Sequence, residues 1–313
     1  MNSSTHAPAP QDAAFDVLAT ESVRPDLDDL DRRPADALVR TLVEGQRAAQ
    51  SAVEAAVPAI AAAAEAIAAR MLQGGRLFYV GAGTSGRLAI LDASECPPTF
   101  NTPPELVVAL IAGGPAAVQE AVEGAEDDVD AAGAELRARD LEPNDAVVGI
   151  AASGRTPYVI GALRHAREAG SYTVAIVNNV RSALAEVADT AIELSTGPEV
   201  IAGSTRLCAG TAQKIALSTL STAVMVRLGK TYGPYMVDVR ATNAKLRRRA
   251  LRMVQQITGA DETASAAALE ATQGRVKPAV VMLLGHCDAG EAEQRLAAAG
   301  GRVREALTTR RTD

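Results

Sequence analysis

Five short apolar segments alternate with helical patterns along the middle of the chain, and this alternation constrains the fold more than any other feature. Each segment has the length of a strand and contains a run of apolar residues. The segments span residues 76–80, 106–112, 145–152, 172–179 and 190–194. Continuous apolar strands are typical of a parallel sheet that helices cover on both faces. The pattern therefore predicts an α/β fold with a doubly wound parallel sheet.

The regions on either side of these segments indicate helices. Residues 35–72 predict two helices, the second beginning at Pro58, because the fixed φ of proline suits a first helical turn. After residue 240, short helical patterns are separated by Gly or Pro. We therefore expect a disordered tail at 1–12, a sheet domain with N-terminal helices at 13–240, and a small all-helical module at 241–313.

The composition argues against a nucleic-acid partner. The 313-residue chain has a formal net charge of −7, no Trp and 3% aromatic residues. A nucleic-acid binder needs a basic face, and base stacking needs aromatic side chains. The basic run at 245–249 is the exception, and we interpret it as a solvated helix face.

The sequence contains no pattern typical of a membrane span or a secretory signal. The longest apolar tract, residues 55–69, is rich in Ala and is interrupted by Glu65. The first residues are polar and lack a basic stretch followed by an apolar one. We therefore expect a cytoplasmic protein with no membrane partner.

The cysteines and histidines are too scattered to predict a metal site or a disulfide framework. They are Cys96, Cys208, Cys287, His6, His165 and His286. Neither a CxxC pair nor a zinc-ligand spacing occurs among them. We expect no metal and no cofactor.

Two of the predicted strands are followed by the same order of residue types. The first leads into "GAGTSGR" (81–87) and the third into "SGRT" (153–156), and a predicted helix follows each loop. Ligands of open parallel sheets bind at the carboxyl ends of strands, where helix N-termini attract anions. We predict that both loops bind one phosphate group, aided by the hydroxyls of Thr84, Ser85, Ser153 and Thr156. The alternative is a pair of capped turns, in which Ser and Gly are common.

The glycines at 81–86 also fit G-x-G-x-x-G, the fingerprint of dinucleotide binding. That class of protein needs an acidic residue at the end of the second strand, about 20 residues past the glycines. The stretch "LVVALIAGG" (106–114) has no acid, and Asp92 and Glu95 come too early. A nicotinamide-dependent oxidoreductase is therefore disfavoured.

Glu95 is the first of three candidate carboxylates. We expect the helix that starts at Ser85 to end at Glu95, because Pro97 and Pro98 follow. An acid is unfavourable at a helix C-terminus, where the dipole is negative. A functional role and a surface position are equally compatible with this spacing.

The other two candidates are Glu126 and Glu199. Glu126 lies in a stretch, 115–138, that predicts one acidic helix, so the spacing alone favours a solvated surface position. Glu199 precedes a long helix predicted at 204–229 and is a candidate to face the same crevice as the two loops.

Several blocks of sequence resemble the N-acetylmuramic acid 6-phosphate etherases, which belong to the sugar isomerase (SIS) superfamily. The resemblance covers roughly residues 18–300. The blocks are "GAGTSGRLAILDASECPPTF", "AVEGAED", "VVGIAASGRTPYVIGAL", "IAGSTR", "AGTAQKIAL" and "YMVDVRATNAKL". Blocks this long are far more specific than a glycine pattern.

The resemblance implies both an architecture and an activity. The architecture is a doubly wound SIS domain, a helical C-terminal region and a homodimer whose active site lies near the subunit interface. The activity is cleavage of the ether between D-lactate and C3 of a sugar phosphate, giving N-acetylglucosamine 6-phosphate and D-lactate in murein recycling. Neither a metal nor a nucleotide is needed.

The resemblance also implies residue roles. Glu95 resembles the acid that protonates the departing lactate oxygen, and Glu126 resembles the base at C2. The hydroxyls of Thr84, Ser85, Ser153 and Thr156 resemble the phosphate ligands of the superfamily, and we include Glu199 among the substrate-binding residues.

The chain departs from the family pattern at two places. Cys208 stands where the family usually has Lys, and "LSTLST" (217–222) lacks the usual Asn-Met. A sugar-phosphate isomerase of the same superfamily and a non-enzymatic sugar-phosphate sensor are the competing interpretations. Neither needs an acid that expels a leaving group.

Overall fold

The computed structural model describes residues 18–239 and 244–308, so the predicted tail at 1–12 lies outside the described residues. The chain divides into two compact units. The first comprises the chain up to Asp92 together with Val108–Leu220, and the second comprises Ala93–Val107 and the chain from Ser221 onward. The predicted division into domains at residue 240 stays a prediction.

Three short 3₁₀ helices, Ala19–Glu21, Pro25–Leu27 and Leu30–Arg32, come first in the described chain. Three α-helices follow them before the sheet, where two helices were predicted. They are α1 (Ala35–Glu44), α2 (Arg47–Ala55) and α3 (Val57–Met71). A turn at Gly45 and Gln46 separates α1 from α2, so the prediction of one helix there was wrong. Pro58 lies in the first turn of α3, as expected. The face of α3 that packs inward consists of Ile60, Ala63, Ala64, Ile67, Ala68 and Met71.

The sheet confirms the five predicted strands. They are β1 (Leu77–Gly81), β2 (Val107–Ile111), β3 (Ala146–Ala151), β4 (Tyr172–Val177) and β5 (Thr190–Glu193). Their order is β2-β1-β3-β4-β5, and β1, β3, β4 and β5 pair in parallel. Every residue of β1 and β3 is buried, which explains why their sequences are apolar throughout.

The helices that follow the strands are α4 (Gly83–Phe100), α5 (Ala131–Arg137), α6 (Pro157–Glu168), α7 (Ala183–Val187) and α8 (Cys208–Arg227). Side chains of the strands and of α6 form one core, with Phe78, Val147, Tyr158 and Leu163 at most 1% exposed. This packing places the N-terminus of α6 directly after the carboxyl end of β3.

Two further helix predictions were wrong. Helix α4 does not end at Glu95 but continues through Pro97 and Pro98 to Phe100. Prolines disfavour the α conformation of the preceding residue and cannot donate a helical hydrogen bond, but their own φ is helical. The amide of Asn101 donates to the carbonyl of Pro97 (2.9 Å) and closes the last turn. Glu95 therefore lies within a helix rather than at its exit.

The predicted acidic helix at 115–138 is broken into pieces. Two 3₁₀ turns, Gly114–Val118 and Ala125–Asp127, precede the short helix α5. Gly124 has φ of 71°, a left-handed conformation that a continuous α-helix cannot contain. Glu126 consequently lies in a tight turn and not on a helix face.

The second unit has its own core. After Ser221 it contains helices α9 (Ala244–Thr258), α10 (Glu262–Ala271), α11 (Val276–Leu284), α12 (Ala289–Ala298) and α13 (Val303–Thr308). Val237, Met253, Val280 and Leu296 belong to a buried apolar cluster. Asp238 forms ion pairs with Lys230 (3.0 Å) and Lys277 (2.8 Å) beside it. The expected all-helical C-terminal region is confirmed for the residues described.

Among the described residues, a single helix that is both long and apolar enough to cross a membrane does not occur. One bent pair, Ala35–Ala55 with Val57–Met71, reaches that length and composition across a 57° break. The apolar face of the second member is the core face of α3 described above.

Candidate functional site

The first predicted phosphate loop is the turn from β1 into α4. Gly83, the first residue of α4, has φ of 50°, which an L side chain rarely adopts. A Cβ added to Gly83 would meet no atom within 4 Å. The glycine therefore leaves open space beside the helix N-terminus, where backbone N–H groups lack intrahelical partners. An anion can approach this backbone closely.

The second loop joins β3 to α6 and is held by its neighbours. The amide of Leu184 donates to the carbonyl of Gly154 (2.9 Å), and the amide of Asn178 donates to the carbonyl of Ala152 (3.0 Å). Thr156 is the N-cap of α6. These two hydrogen bonds hold the loop against α7 and against the end of β4.

The strand order brings the two loops together. In the order β2-β1-β3-β4-β5, the chain turns to opposite sides of the sheet after β1 and after β3. Gly81 at the end of β1 pairs in register with Ile150 near the end of β3. This is the topological switch point, the place where open α/β sheets bind ligands. The predicted juxtaposition of the loops is therefore present in the first unit.

Three of the four predicted hydroxyls have a proton to donate. Within the described part of the chain, the Thr84 and Thr156 hydroxyls form no hydrogen bond. Ser153 Oγ accepts the amide of Arg155 (3.2 Å), which leaves its own proton uncommitted. All three side chains are partly exposed. They can each donate to an anion between the loops.

Ser85 differs from the other three. It is 6% exposed, and its hydroxyl donates to Gln213 Oε1 (2.8 Å) on α8. Gln213 in turn donates to Asn178 Oδ1 (2.9 Å) at the end of β4. The role of Ser85 as a phosphate ligand stays a prediction.

Glu126 is exposed on the 3₁₀ turn Ala125–Asp127. Ala125, its neighbour, packs against the core cluster that contains Tyr158 and Ala162 of α6. Glu126 therefore lies on a turn anchored to the helix whose N-terminus forms the second loop.

Arg87 ties the chain before Glu126 to the first loop. Its guanidinium donates to the carbonyls of Val118 (3.0 Å) and Glu120 (3.0 Å). In the sequence, Arg87 stands out only as part of the repeated loop pattern, which gives no sign of these two hydrogen bonds. Two bonds from one planar group to two carbonyls fix the segment against α4.

Glu95 belongs to the second unit, whereas the loops and Glu126 belong to the first. Its side chain is exposed on α4, next to the buried residues Ala93 and Cys96. The catalytic assignment of Glu95 and Glu126 stays a prediction from the resemblance.

Glu199 is placed as a buried cap on helix α8. It is 1% exposed, and its two carboxylate oxygens accept the amides of Cys208 (2.9 Å) and Ala209 (2.9 Å). A carboxylate is favourable there because the helix N-terminus carries a partial positive charge. Its predicted contact with substrate stays untested.

Cys208, which stands where the family usually has Lys, is also buried, with 3% exposure. Burial and the adjacent Glu199 carboxylate raise the pKa of the Cys208 thiol above its ordinary value. The thiol is therefore a neutral packing group at the start of α8 rather than a surface substituent.

Replacing Glu199 by Gln is expected to lower the free energy of unfolding by about 2 kcal/mol. The amide offers one acceptor oxygen and turns an NH₂ group towards a backbone N–H. The measurement is urea denaturation at neutral pH. Glu193→Gln is the matched control, because Glu193 accepts one amide, that of Arg181 (2.6 Å), at a partly exposed position. Equal stability of the two variants would contradict the capping role.

Among the described residues, His, Cys, Asp and Glu side chains form no group of three or more that could hold a metal ion.

The fold and the paired hydroxyl loops define a SIS-domain protein. Family models for the SIS domain and for the glucokinase regulatory protein N-terminal SIS domain match residues 127–223 and 59–167. A phosphoheptose isomerase from Francisella tularensis shares the fold with a TM-score of 0.50 at 20% identity, covering 62% of this chain and 100% of that one.

Full-length relatives identify the family within that class. The chain is 55% identical over 292 residues to the N-acetylmuramic acid 6-phosphate etherase of Deinococcus radiodurans, covering 93% of this chain and 96% of the relative. It is 50% identical to the etherase of Streptomyces coelicolor, covering 98% of each chain. The chain belongs to the N-acetylmuramic acid 6-phosphate etherase family.

Proposed function

We propose that this protein cleaves the D-lactyl ether of N-acetylmuramic acid 6-phosphate, giving N-acetylglucosamine 6-phosphate and D-lactate in murein recycling. The carrying observation is the pair of hydroxyl-bearing loops at the β1/β3 switch point. A phosphate monoester matches the three uncommitted hydroxyl protons of Thr84, Ser153 and Thr156 and the two helix N-termini. The family relationship supplies the reaction.

The first half of the reaction is an elimination. In the open-chain sugar, C1 is an aldehyde, so the proton at C2 is acidic. Glu126 removes this proton, and the electron pair forms a double bond between C2 and C3. The C3–O bond breaks as Glu95, in its protonated form, donates a proton to the lactate oxygen. General acid–base assistance of this kind contributes about 10²–10⁴-fold per group.

The second half adds water to the unsaturated aldehyde. Glu95, now a carboxylate, takes a proton from water as the oxygen bonds to C3. The proton held by Glu126 exchanges with solvent, and Glu126 then protonates C2, so both glutamates end in their starting forms. Both side chains are exposed in the single chain, so water reaches each of them.

The test measures D-lactate release from N-acetylmuramic acid 6-phosphate in deuterated water, with no metal or nucleotide added. We expect lactate together with deuterium at C2 of the product. Deuterium exchange without lactate would favour an isomerase instead. Binding of the sugar phosphate without either event would favour a sensor.

We further propose a homodimer, supported by an uncovered apolar face on α1. This helix has no buried residue, and Val39 and Val43 are 57% and 64% exposed. They lie four residues apart and so share one face. A second copy of the chain would cover this face.

Val43→Asp is expected to shift the protein from dimer to monomer, because the new charge would be buried at the interface. Light scattering after gel filtration measures the mass. Val57→Asp, at a valine 55% exposed outside α1, is the matched control and should leave the dimer intact. A dimeric Val43→Asp variant or a monomeric parent protein would refute this interface.

We also propose a cytoplasmic location, because a charged sugar phosphate does not cross a lipid bilayer unaided. Etherase activity is then expected in the cytosolic fraction of lysed cells. Recovery with the membranes would contradict this.

A further inference from the structure

A chain of buried polar side chains runs from the first phosphate loop across the carboxyl edge of the sheet. Ser85, Gln213 and Asn178 are 6%, 1% and 1% exposed. Ser85 Oγ lies 2.8 Å from Gln213 Oε1, and Gln213 Nε2 lies 2.9 Å from Asn178 Oδ1. Asn178 Nδ2 lies 3.1 Å from the carbonyl oxygen of Leu194. This series of hydrogen bonds connects α4, α8, the end of β4 and the end of β5.

The direction of every hydrogen bond in this chain follows from its last member. The Leu194 carbonyl can only accept, so the Asn178 amide must turn its NH₂ group towards it. The Asn178 oxygen then faces Gln213, which must present its own NH₂ group. The Gln213 oxygen consequently faces Ser85, whose single proton must point to it. Flipping either amide would set two donors or two acceptors against each other.

We propose that Gln213 is a positioning residue that holds the Ser85 hydroxyl as a donor into the protein and thereby fixes the first phosphate loop. This inference rests on the proposed function. If Ser85 donated its hydroxyl to phosphate, the buried Gln213 oxygen would lose its partner, at a cost comparable to a lost hydrogen bond. Ser85 therefore serves phosphate through its backbone N–H at the start of α4, and Thr84, Ser153 and Thr156 supply the hydroxyl protons.

The inference is tested by the pH dependence of Gln213→Glu. A neutral glutamic acid can donate its O–H to Asn178 and accept from Ser85, which reproduces the native directions. An ionised glutamate has no proton and sets an acceptor against Asn178 Oδ1. Burial raises the pKa of a carboxyl group above its ordinary value of about 4.3. The variant is therefore competent below that raised pKa and loses competence as the pH rises through it.

The side chains hydrogen-bonded to residue 213 do not titrate in the pH range of the experiment, so a pH-dependent change can be assigned to the new glutamic acid. Its bonded neighbours on α4 and at the end of β4, Ser85 and Asn178, do not ionise in this range. The helix that carries residue 213, α8, is capped at its N-terminus by the carboxylate of Glu199. This negative charge also raises the pKa of the glutamic acid introduced at position 213. Lys214 follows on the exposed side of α8.

The measured quantity is kcat/KM for lactate release, divided by the value for the parent protein at each pH. We expect this ratio to fall by about tenfold from the acidic to the alkaline end of the profile. Thr173→Val is the control. It removes the bonds of a buried hydroxyl to Asp189 (2.8 Å and 3.0 Å) at the opposite edge of the sheet, and its ratio should not vary with pH. A pH-independent ratio in Gln213→Glu would overturn the proposal.

If Gln213→Glu fails to fold or is inactive at every pH, a second set of variants tests whether Gln213 positions the Ser85 hydroxyl. Gln213→Met, Ser85→Ala and the double variant form a cycle, read by the inhibition or binding constant of inorganic phosphate. Coupling between the two sites supports the proposal, since Gln213 then acts through Ser85. Additive effects would overturn it. Phosphate binding is measured without etherase turnover, so a parent protein that releases no lactate would refute the proposed function while the cycle still tests Gln213.

Discussion

Glu95→Gln is expected to reduce lactate release by about 10²–10⁴-fold while exchange of the C2 proton with solvent continues. Glutamine cannot give a proton to the departing lactate oxygen, so the C3–O bond breaks poorly. Removal of the C2 proton does not need this group. The two events are measured in one experiment, as D-lactate by enzymatic assay and deuterium at C2 by NMR.

The control for this variant is Glu105→Gln. Glu105 is another exposed glutamate in the short segment that the second unit contributes before β2. It should retain the activity of the parent protein. An active Glu95→Gln variant would show that the acid lies elsewhere.

Glu126→Gln is expected to reduce both C2 exchange and lactate release, again by about 10²–10⁴-fold. Elimination cannot begin until the C2 proton has left, and an amide is not a base. The variant should still bind inorganic phosphate, because the two loops that bind it are unchanged. The same deuterium assay, combined with phosphate inhibition of a residually active preparation, separates chemistry from binding.

Glu123→Gln is the matched control for Glu126, since it is an exposed glutamate in the same stretch of chain, before Gly124. It should behave as the parent protein does. If Glu126→Gln kept C2 exchange while Glu95→Gln lost it, the roles of acid and base would have to be interchanged.

The strands were predictable because burial on both faces leaves little choice of residue. In β1 and β3 every position is buried, and a run of apolar residues is the direct consequence. The helices were less predictable, because their bounds depend on single residues. Pro97 and Pro98 were expected to end a helix that in fact continues to Phe100. Gly124, in contrast, interrupts a stretch whose other residues are compatible with a helix.

In the candidate site, too, some features could be predicted from the sequence and others could not. The repeated order of hydroxyl, Gly and Arg predicted two anion-binding loops, because a helix N-terminus and a hydroxyl act over a few neighbouring residues. The sequence did not reveal that Glu199 caps α8, although the glutamate was singled out. Its two partners lie nine and ten residues further along the chain, and only the folded loop brings them to it.

The sequence by itself determined the parallel sheet, the two hydroxyl-bearing loops and the family, since each is a local pattern or a direct match of residues. Only the tertiary structure decided which protons those loops can donate. Ser85 and Thr84 are adjacent hydroxyls, yet one is committed to Gln213, 128 positions along the chain, and the other is not. The physical reason is that a buried polar group must find a partner inside the protein, and the fold selects that partner from distant strands and helices.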